Sequence, residues 1–538
     1  NMYPRQKDFI KVQNIMAKIL HEANILPGVY DLDKAKYILD VLKKKLVQYL
    51  NIEVKKYNFN KSIPLILTYN DANINNFVMK GKKLEISLEH EVDYSREKEL
   101  ADAKTKYIRE SNNYRYLIEK FVQLQPNGNK NLDEDSLCFL LALVDWLIIA
   151  YRHSDSIHYN LFACGLIVKE DKSIETIFKE DISEKEELYE KIDAEEQLYK
   201  NYPHITFTPY MNYHEDFCLK FKEDFGFNFQ NMINVLTVLS KWIEDNHTYI
   251  IADKNEIIEN TKKLLKDYTT EEEKEIPYIL DFLTLESYNI TKILDKKDFS
   301  KTIQCDDIPL DEFNLRFCRY TIKPLIKYKD KYIWGPYSAQ TTGKTFCTHL
   351  CHTRLPYNLR NSKSQRLLEK IKNVHEKELV KNTFDIIKKY TKFADKEVEF
   401  HKRDKNNTHP KELGDYDVLA FIPECNTLLN IECKHHLVPF SPKDARKYLD
   451  KMYEPDKTGK SAIDRVINRE KYLSENYQTA LKILNVQHYV KPKIISLYVT
   501  KIRTFQIMFP REKTNIKLLS VYDLEDYLNS ILTTSVMN

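Results

Sequence analysis

Glycine is scarce in this chain, 9 of 538 residues against a usual ~7%. That excludes collagen-like repeats and propellers dense in tight turns, and it argues against glycine-rich phosphate loops. The nine cysteines show no paired spacings, which speaks against a disulfide scaffold and for a reduced, cytoplasmic protein. Long apolar runs are also missing. The strongest, Leu137–Tyr151, spans fifteen residues and contains Asp145, so a buried helix is expected there and no membrane partner. Lys, Asp and Gln interrupt the first ten residues, and no secretory leader is expected.

No sign of charge dominates, since the formal net charge is +3. The average conceals an asymmetry. Residues 361–538 hold 32 basic and 24 acidic side chains, an excess of +8, whereas residues 1–360 hold 51 and 56, or −5. A basic C-terminal third suits a polyanion, and the acidic remainder repels one. With 42% apolar and 30% charged residues the chain can build packed cores. Its length suggests two to four domains.

Apolar spacing predicts an all-α region over 1–315. Candidate helices lie at 1–55, Tyr114–Leu124, Leu137–Arg152, Glu186–Tyr199 and Met232–Glu244, with short extended patches at Leu65–Thr68 and Leu84–Leu88. The acidic stretch 168–200 reads as a solvated helical face. This region names no chemistry and is expected to control activity or recruit a protein partner. A connecting β-hairpin and loop follow over 316–360, with strands Arg316–Lys327 and Lys331–Trp334 turned at Lys329-Asp330. Beyond it come a helix from Lys363 to Tyr390, strands Glu397–Lys402, Tyr416–Ile422 and Leu428–Cys433, helices at 441–452 and 461–485, and a strand Lys493–Lys501. The order α-β-β-β-α-β suits an α/β domain with a mixed central sheet over 361–510, followed by a helical tail over 511–538.

Chemistry concentrates between Gly414 and Lys434. Glu432 and Lys434 are two apart on a strand and share one face. A hairpin centred between Glu424 and Cys425 places Asp417 directly opposite Glu432, with Cβ atoms about 5 Å apart. Two carboxylates so close repel unless positive charge lies between them. A hard divalent cation is the natural candidate, and Lys434 flanks it.

The run Gly414-Asp415-Tyr416-Asp417, the fifteen-residue gap and the strand ending Glu432-Cys433-Lys434 resemble the PD-(D/E)XK nuclease superfamily, in its Mrr-like or RecB-like style. The resemblance covers roughly residues 361–505. It implies a restriction-endonuclease-like fold and a Mg²⁺-dependent nuclease (Mn²⁺ being a plausible substitute) acting on nucleic acid, DNA in the first place, in restriction, repair or defence. Asp417, Glu432 and the Cys433 carbonyl are the implied metal ligands, and Lys434 would orient water and stabilise transition-state charge. Such families add an acidic residue from the preceding helix. Glu376 is chosen because it shares a face with Leu379 and Val380. The alternative is an inactive nuclease-fold protein that binds nucleic acid or protein, or surface charges on an unrelated sheet.

Other basic residues are candidate nucleic-acid contacts: Lys402, Arg403, Lys405 and Lys411 in the loop joining two strands, His435 and His436 after Lys434, and Arg446, Lys447, Arg465 and Arg469 on the following helices. Ser338 to Thr345 nearly matches the phosphate loop GxxxxGK[ST], but Ser replaces its first Gly. A polar loop is expected there and no nucleotide cofactor. Cys347, His349, Cys351 and His352 lack the second ligand pair of a structural zinc site. Oligomerisation stays open.

Overall fold

The computed structural model describes residues 3–90, 94–159, 163–178, 212–242, 248–265, 269–351, 353–357, 362–405, 407–436, 442–456, 459–487, 490–501 and 515–537, with backbone only for 82–90, 94–101, 351, 442 and 534–537. The expected helix Glu186–Tyr199, and His352, lie outside the described residues. Chain contacts form two compact units, Asn1–Glu369 and Lys370–Asn538. The boundary therefore falls inside a helix rather than at residue 316 or 361, and the hairpin segment belongs to the first unit.

The first unit is mixed, not all-α. Long helices Leu32–Val54, Phe59–His90, Tyr94–Leu124 and Glu134–His158 dominate it. Small sheets accompany them, such as Gly28–Tyr30 with Ala163–Val168 and Ile174–Phe178. These strands are short, so their period-2 signal is too brief to stand out from helical spacing. Part of the acidic stretch 168–200 is thus strand; residues 179–200 lie outside the described residues. The two extended patches expected at Leu65–Thr68 and Leu84–Leu88 both belong to the helix Phe59–His90. Ile63, Ile66, Leu67 and Ile74 are buried at helical spacing there. Leu137–Tyr151 is a buried helix as expected. Its Asp145 accepts hydrogen bonds from Arg109 Nε at 2.8 Å and Asn113 Nδ2 at 2.9 Å, which makes a buried carboxylate tolerable. No helix among the described residues is long and apolar enough to cross a membrane.

The hairpin turns at Lys329-Asp330 as expected, but its first strand is only Leu325–Tyr328. The residues before it form a 3₁₀ segment, Leu310–Leu315, and turns. The loop expected at Ser338–Thr345 is helix, within Pro336–Cys351. Its N-terminal amides are already taken. Asp71 accepts from Tyr337 N at 2.7 Å, Ser338 N at 3.0 Å and Ser338 Oγ at 2.6 Å. Asp71 sits so close to Gly335 that a Cβ there would lie 2.0 Å from its carboxylate oxygen. A protein carboxylate thus fills the place that a phosphate-binding loop leaves for phosphate. Replacing Asp71 with Ala strands these buried donors and is expected to cost about 2–3 kcal/mol, measurable by urea denaturation. A loss below about 0.5 kcal/mol would contradict this capping role.

The second unit is a five-stranded mixed sheet in the order Ala394–Val398, Tyr416–Ile422, Thr427–Lys434, Lys493–Thr500, Lys517–Ser520. The first two pairings are antiparallel and the last two parallel. The strands Tyr416–Ile422 and Thr427–Lys434 are buried almost throughout and are largely apolar, interrupted by Asp417, Asn430 and Glu432. Val418, Ala420, Leu429, Ile431 and Cys433 pack on one face against the helices Lys363–Ile387 and Leu524–Met537. Leu419, Phe421 and Leu428 pack on the other, against Ala462–Ile483. The sheet is covered on both faces, as mixed and parallel sheets require.

Several boundaries shift. The first strand is Ala394–Val398, not Glu397–Lys402, because Phe400–Arg403 turns into a short helix. The long helix ends at Ile387. The segment 511–538 is not a purely helical tail. Lys517–Ser520 adds an edge strand parallel to Lys493–Thr500, a non-local pairing that local periodicity does not reveal.

Candidate active site

The hairpin Tyr416–Lys434 builds the site. Pro423–Cys425 form its turn, and Asn426 closes it in the left-handed region at φ 46°, which Asn tolerates. The turn fixes the register: Ile422 pairs with Thr427 and Val418 with Ile431. The ladder's last pair is Val418 with Ile431, and continuing its register one step sets Asp417 across from Glu432. Asp417 Oδ2 accepts the Cys433 amide at 2.6 Å, tying the carboxylate to the neighbouring strand.

Glu432 is buried, its side chain 3% exposed. Lys434 Nζ lies 2.7 Å from its Oε1, and Arg469 Nη1 donates to its Oε2. Burial pushes the Glu432 pKa up, but Lys434 and Arg469 outweigh it and hold the carboxyl below its ordinary range. Asp417 goes the other way, pushed up to about 7 by burial and then by the negative charge of Glu432; the opposing pull of Lys434, 4.0 Å away, is insufficient. Lys434 itself is held strongly protonated: burial opposes its charge, but Glu432 and Asp417 overcome that. The electrostatic strain of the site therefore gathers on Asp417, whose charged form lacks a close cation.

Arg469 is not a surface contact for phosphate. Its side chain is buried on the helix Ala462–Ile483, and its Nε donates to Leu413 O at 2.9 Å. It bridges that helix, the central strand and the residue before Gly414, whose φ of +68° requires the left-handed region. Arg446 and Arg465 are paired on the surface with Asp450 at 2.6 Å and Asp456 at 2.7 Å.

Glu376 does not lie on the buried stripe of its helix. That stripe is Ile371, His375, Leu379, Thr383 and Ile387. Continuing it back four residues from Leu379 reaches His375, so the signal was present in the sequence. Glu376 is half-exposed, 3.9 Å from Lys372. It lines the same recess as Lys434, a cavity of about 430 Å³ that also includes His435, His436, Tyr448, Lys451, Arg465 and Tyr498. The recess opens at the carboxyl end of the central strand, where α/β sheets place ligands.

The His435 ring stacks on His375 at 5.2 Å, and the His436 ring lies 5.9 Å from that of Tyr498, with Nε2 2.8 Å from its hydroxyl. Burial first, then neighbouring basic side chains, pushes the His435 and His436 pKa values down to about 3. Both are therefore neutral and meet a phosphate only as hydrogen-bond partners. The basic loop is placed elsewhere. Lys402 pairs with Glu399 and Arg403 with Asp395 at 3.0 Å. Arg403 and Lys405 line a second recess with Lys482, and Lys411 lines neither. Beneath the loop, buried His409 joins Asp404 at 3.0 Å and Tyr472 at 2.6 Å.

Among the described residues, no group of three or more His, Cys, Asp or Glu side chains is arranged to hold a metal. Mg²⁺ takes one or two carboxylates and otherwise keeps water, so Asp417 and Glu432 are the residues that would hold it, with Lys434 and Arg469 already on the two oxygens of Glu432. The charge that Asp417 resists carrying beside Glu432 is what such a cation would neutralise. The Cys433 thiol is unsuited to ligation: burial and the charge of Asp417 raise its pKa well above the ordinary range, and it contacts Thr383 Oγ1 at 3.5 Å. Comparison of the chain with family models, curated proteins and solved structures found no match.

Proposed function

We propose that the Lys370–Asn538 unit is a metal-dependent nuclease of the PD-(D/E)XK kind, acting on DNA. The observation that carries this reading is the meeting of Asp417, Glu432 and Lys434 on paired strands beside a recess rimmed by lysines. Asp417 and Glu432 would hold Mg²⁺, which supplies charge neutralisation at the attacked phosphate and lowers the pKa of a bound water. Lys434, fixed in its protonated state, stabilises negative charge gathering on the phosphoryl oxygens. Arg469 keeps Glu432 aimed, and the Cys433 amide keeps Asp417 aimed. The first unit regulates or recruits.

Incubating the full chain with linear, circular and single-stranded DNA and with RNA, with and without Mg²⁺, tests the reading. Mg²⁺-dependent cleavage of DNA supports it, and absence of cleavage of every substrate refutes it.

Asp417 also sets a pH dependence. Its folded pKa is raised, so its contribution to stability is present in acid and is lost as pH climbs from about 4 to about 7. Only the deprotonated carboxylate takes a cation. Mg²⁺ is therefore expected to raise the melting temperature more at pH 8 than at pH 5.5, and cleavage is expected to increase through neutral pH. Equal Mg²⁺ stabilisation at both values would exclude Asp417 as a ligand.

A further inference from the structure

The recess beside Lys434 is in charge balance: four carboxylates line it against Lys372, Lys434, Lys451 and Arg465. Net charge therefore selects little there, and a directional hydrogen bond selects more. His436 is placed to supply one. It lies two residues beyond Lys434 and lines the same recess, where the charges of Lys372, Lys451 and Lys434 all bear on its ring. Tyr448 and Tyr498 flank that ring, each at 5.9 Å. Tyr498 stands on the neighbouring strand in register with Glu432 and is 1% exposed. Its hydroxyl lies 2.8 Å from His436 Nε2 and has no other partner among the described residues. A buried phenol O–H needs an acceptor, so the hydroxyl donates and Nε2 accepts. The imidazole hydrogen then sits on Nδ1, because the bond made by one ring nitrogen sets the state of the other.

We propose that His436 is a substrate-binding residue, donating from Nδ1 to a phosphodiester oxygen of the strand that Lys434 acts on, and that Tyr498 is the positioning residue that keeps the hydrogen on Nδ1. The proposal rests on the nuclease reading and adds a contact to the same site. A phosphodiester inside a strand carries a single charge and accepts hydrogen bonds at its non-bridging oxygens. It suits a balanced recess, in which a fixed donor holds the strand without a further ammonium beside Lys434. The donor survives protonation of the ring, since both nitrogens of an imidazolium carry hydrogen. The contact therefore depends on where the ring is held and not on its charge.

Two substitutions in the full chain separate this role from a structural one. Asn places its amide nitrogen where His carries Nδ1, and Gln places its own near Nε2. His436→Gln therefore keeps a partner for the Tyr498 hydroxyl and loses the donor to the strand, whereas His436→Asn does the opposite. In Mg²⁺ cleavage assays on DNA, His436→Gln should fall about tenfold or more below the parent, the scale of one hydrogen bond to a charged group. It should also cleave several-fold more slowly than His436→Asn. Thermal midpoints should rank the other way, because His436→Asn strands a buried hydroxyl. Tyr498→Phe should lower cleavage while long-range ¹H–¹⁵N spectra of histidine-labelled protein show the His436 hydrogen moving from Nδ1 toward Nε2. Activity that follows stability, with Gln above Asn, or a parent spectrum with hydrogen on Nε2 alone, overturns the proposal. DNA binding in EDTA, read by fluorescence anisotropy, separates the two readings. If the parent cleaves no substrate but His436→Gln binds DNA more weakly than His436→Asn, the contact stands and the nuclease reading falls. Parent cleavage with equal rates in the two variants does the reverse, and no cleavage with equal binding removes both.

Discussion

Asp417→Asn and Lys434→Ala are each expected to lower Mg²⁺-dependent cleavage by about 10²-fold or more, the usual scale for removing one preorganised electrostatic contact. The two should differ in stability. Asp417→Asn keeps a side-chain oxygen for the Cys433 amide, which Asp417 now accepts at 2.6 Å, and removes a charge that burial and Glu432 both oppose. Its thermal midpoint should equal or exceed that of the parent. Lys434→Ala deprives the buried Glu432 of the ammonium at 2.7 Å and should unfold more readily. Calorimetry beside a cleavage assay separates the cases. Parent-level cleavage by both variants would refute the catalytic assignment.

Arg469→Met is expected to have the largest effect on stability, about 3–5 kcal/mol, because breaking a buried ion pair leaves its partner charged and desolvated. Both side chains are 5% exposed or less, and the guanidinium also serves the Leu413 carbonyl. Arg469→Lys restores charge but cannot reach two acceptors in the same fork geometry, so only partial recovery is expected. Arg465→Met provides the contrast. Its pair with Asp456 is 30% and 47% exposed, and such surface pairs contribute about 0–1 kcal/mol. Urea denaturation measures all three. If Arg469→Met costs no more than Arg465→Met, the guanidinium is not what holds Glu432 in place.

The hairpin and its register were legible from the residues alone. Placing the hairpin's centre between Glu424 and Cys425, in the turn Pro423-Glu424-Cys425-Asn426, gives the observed pairs from Ile422 with Thr427 to Val418 with Ile431; burial does not choose that register, because both faces of these strands are covered. That local logic fixed Asp417 opposite Glu432 and put Lys434 on the same face. The buried character of Leu137–Tyr151 followed equally from its length and its single charge.

What came from other parts of the chain was not legible. Arg469 looked like any helical arginine until the helix Ala462–Ile483 packed across the sheet and set it on Glu432. Asp71 lies more than 260 residues from the helix start that it caps. The edge strand Lys517–Ser520 is too short to announce itself and is defined by its neighbour. Glu376, taken in preference to Glu369 and Glu378, followed from reading Leu379, Val380, Thr383 and Ile387 as the buried face, and a face read from four residues is uncertain by one position, about 100° of rotation. Packing of that helix on the sheet buried His375 and left Glu376 at the edge of the recess. Sequence patterns determine what neighbouring residues do to one another along a strand or a turn. Which distant charge meets a buried carboxylate depends on how helices pack against the sheet, and only the tertiary structure decided that.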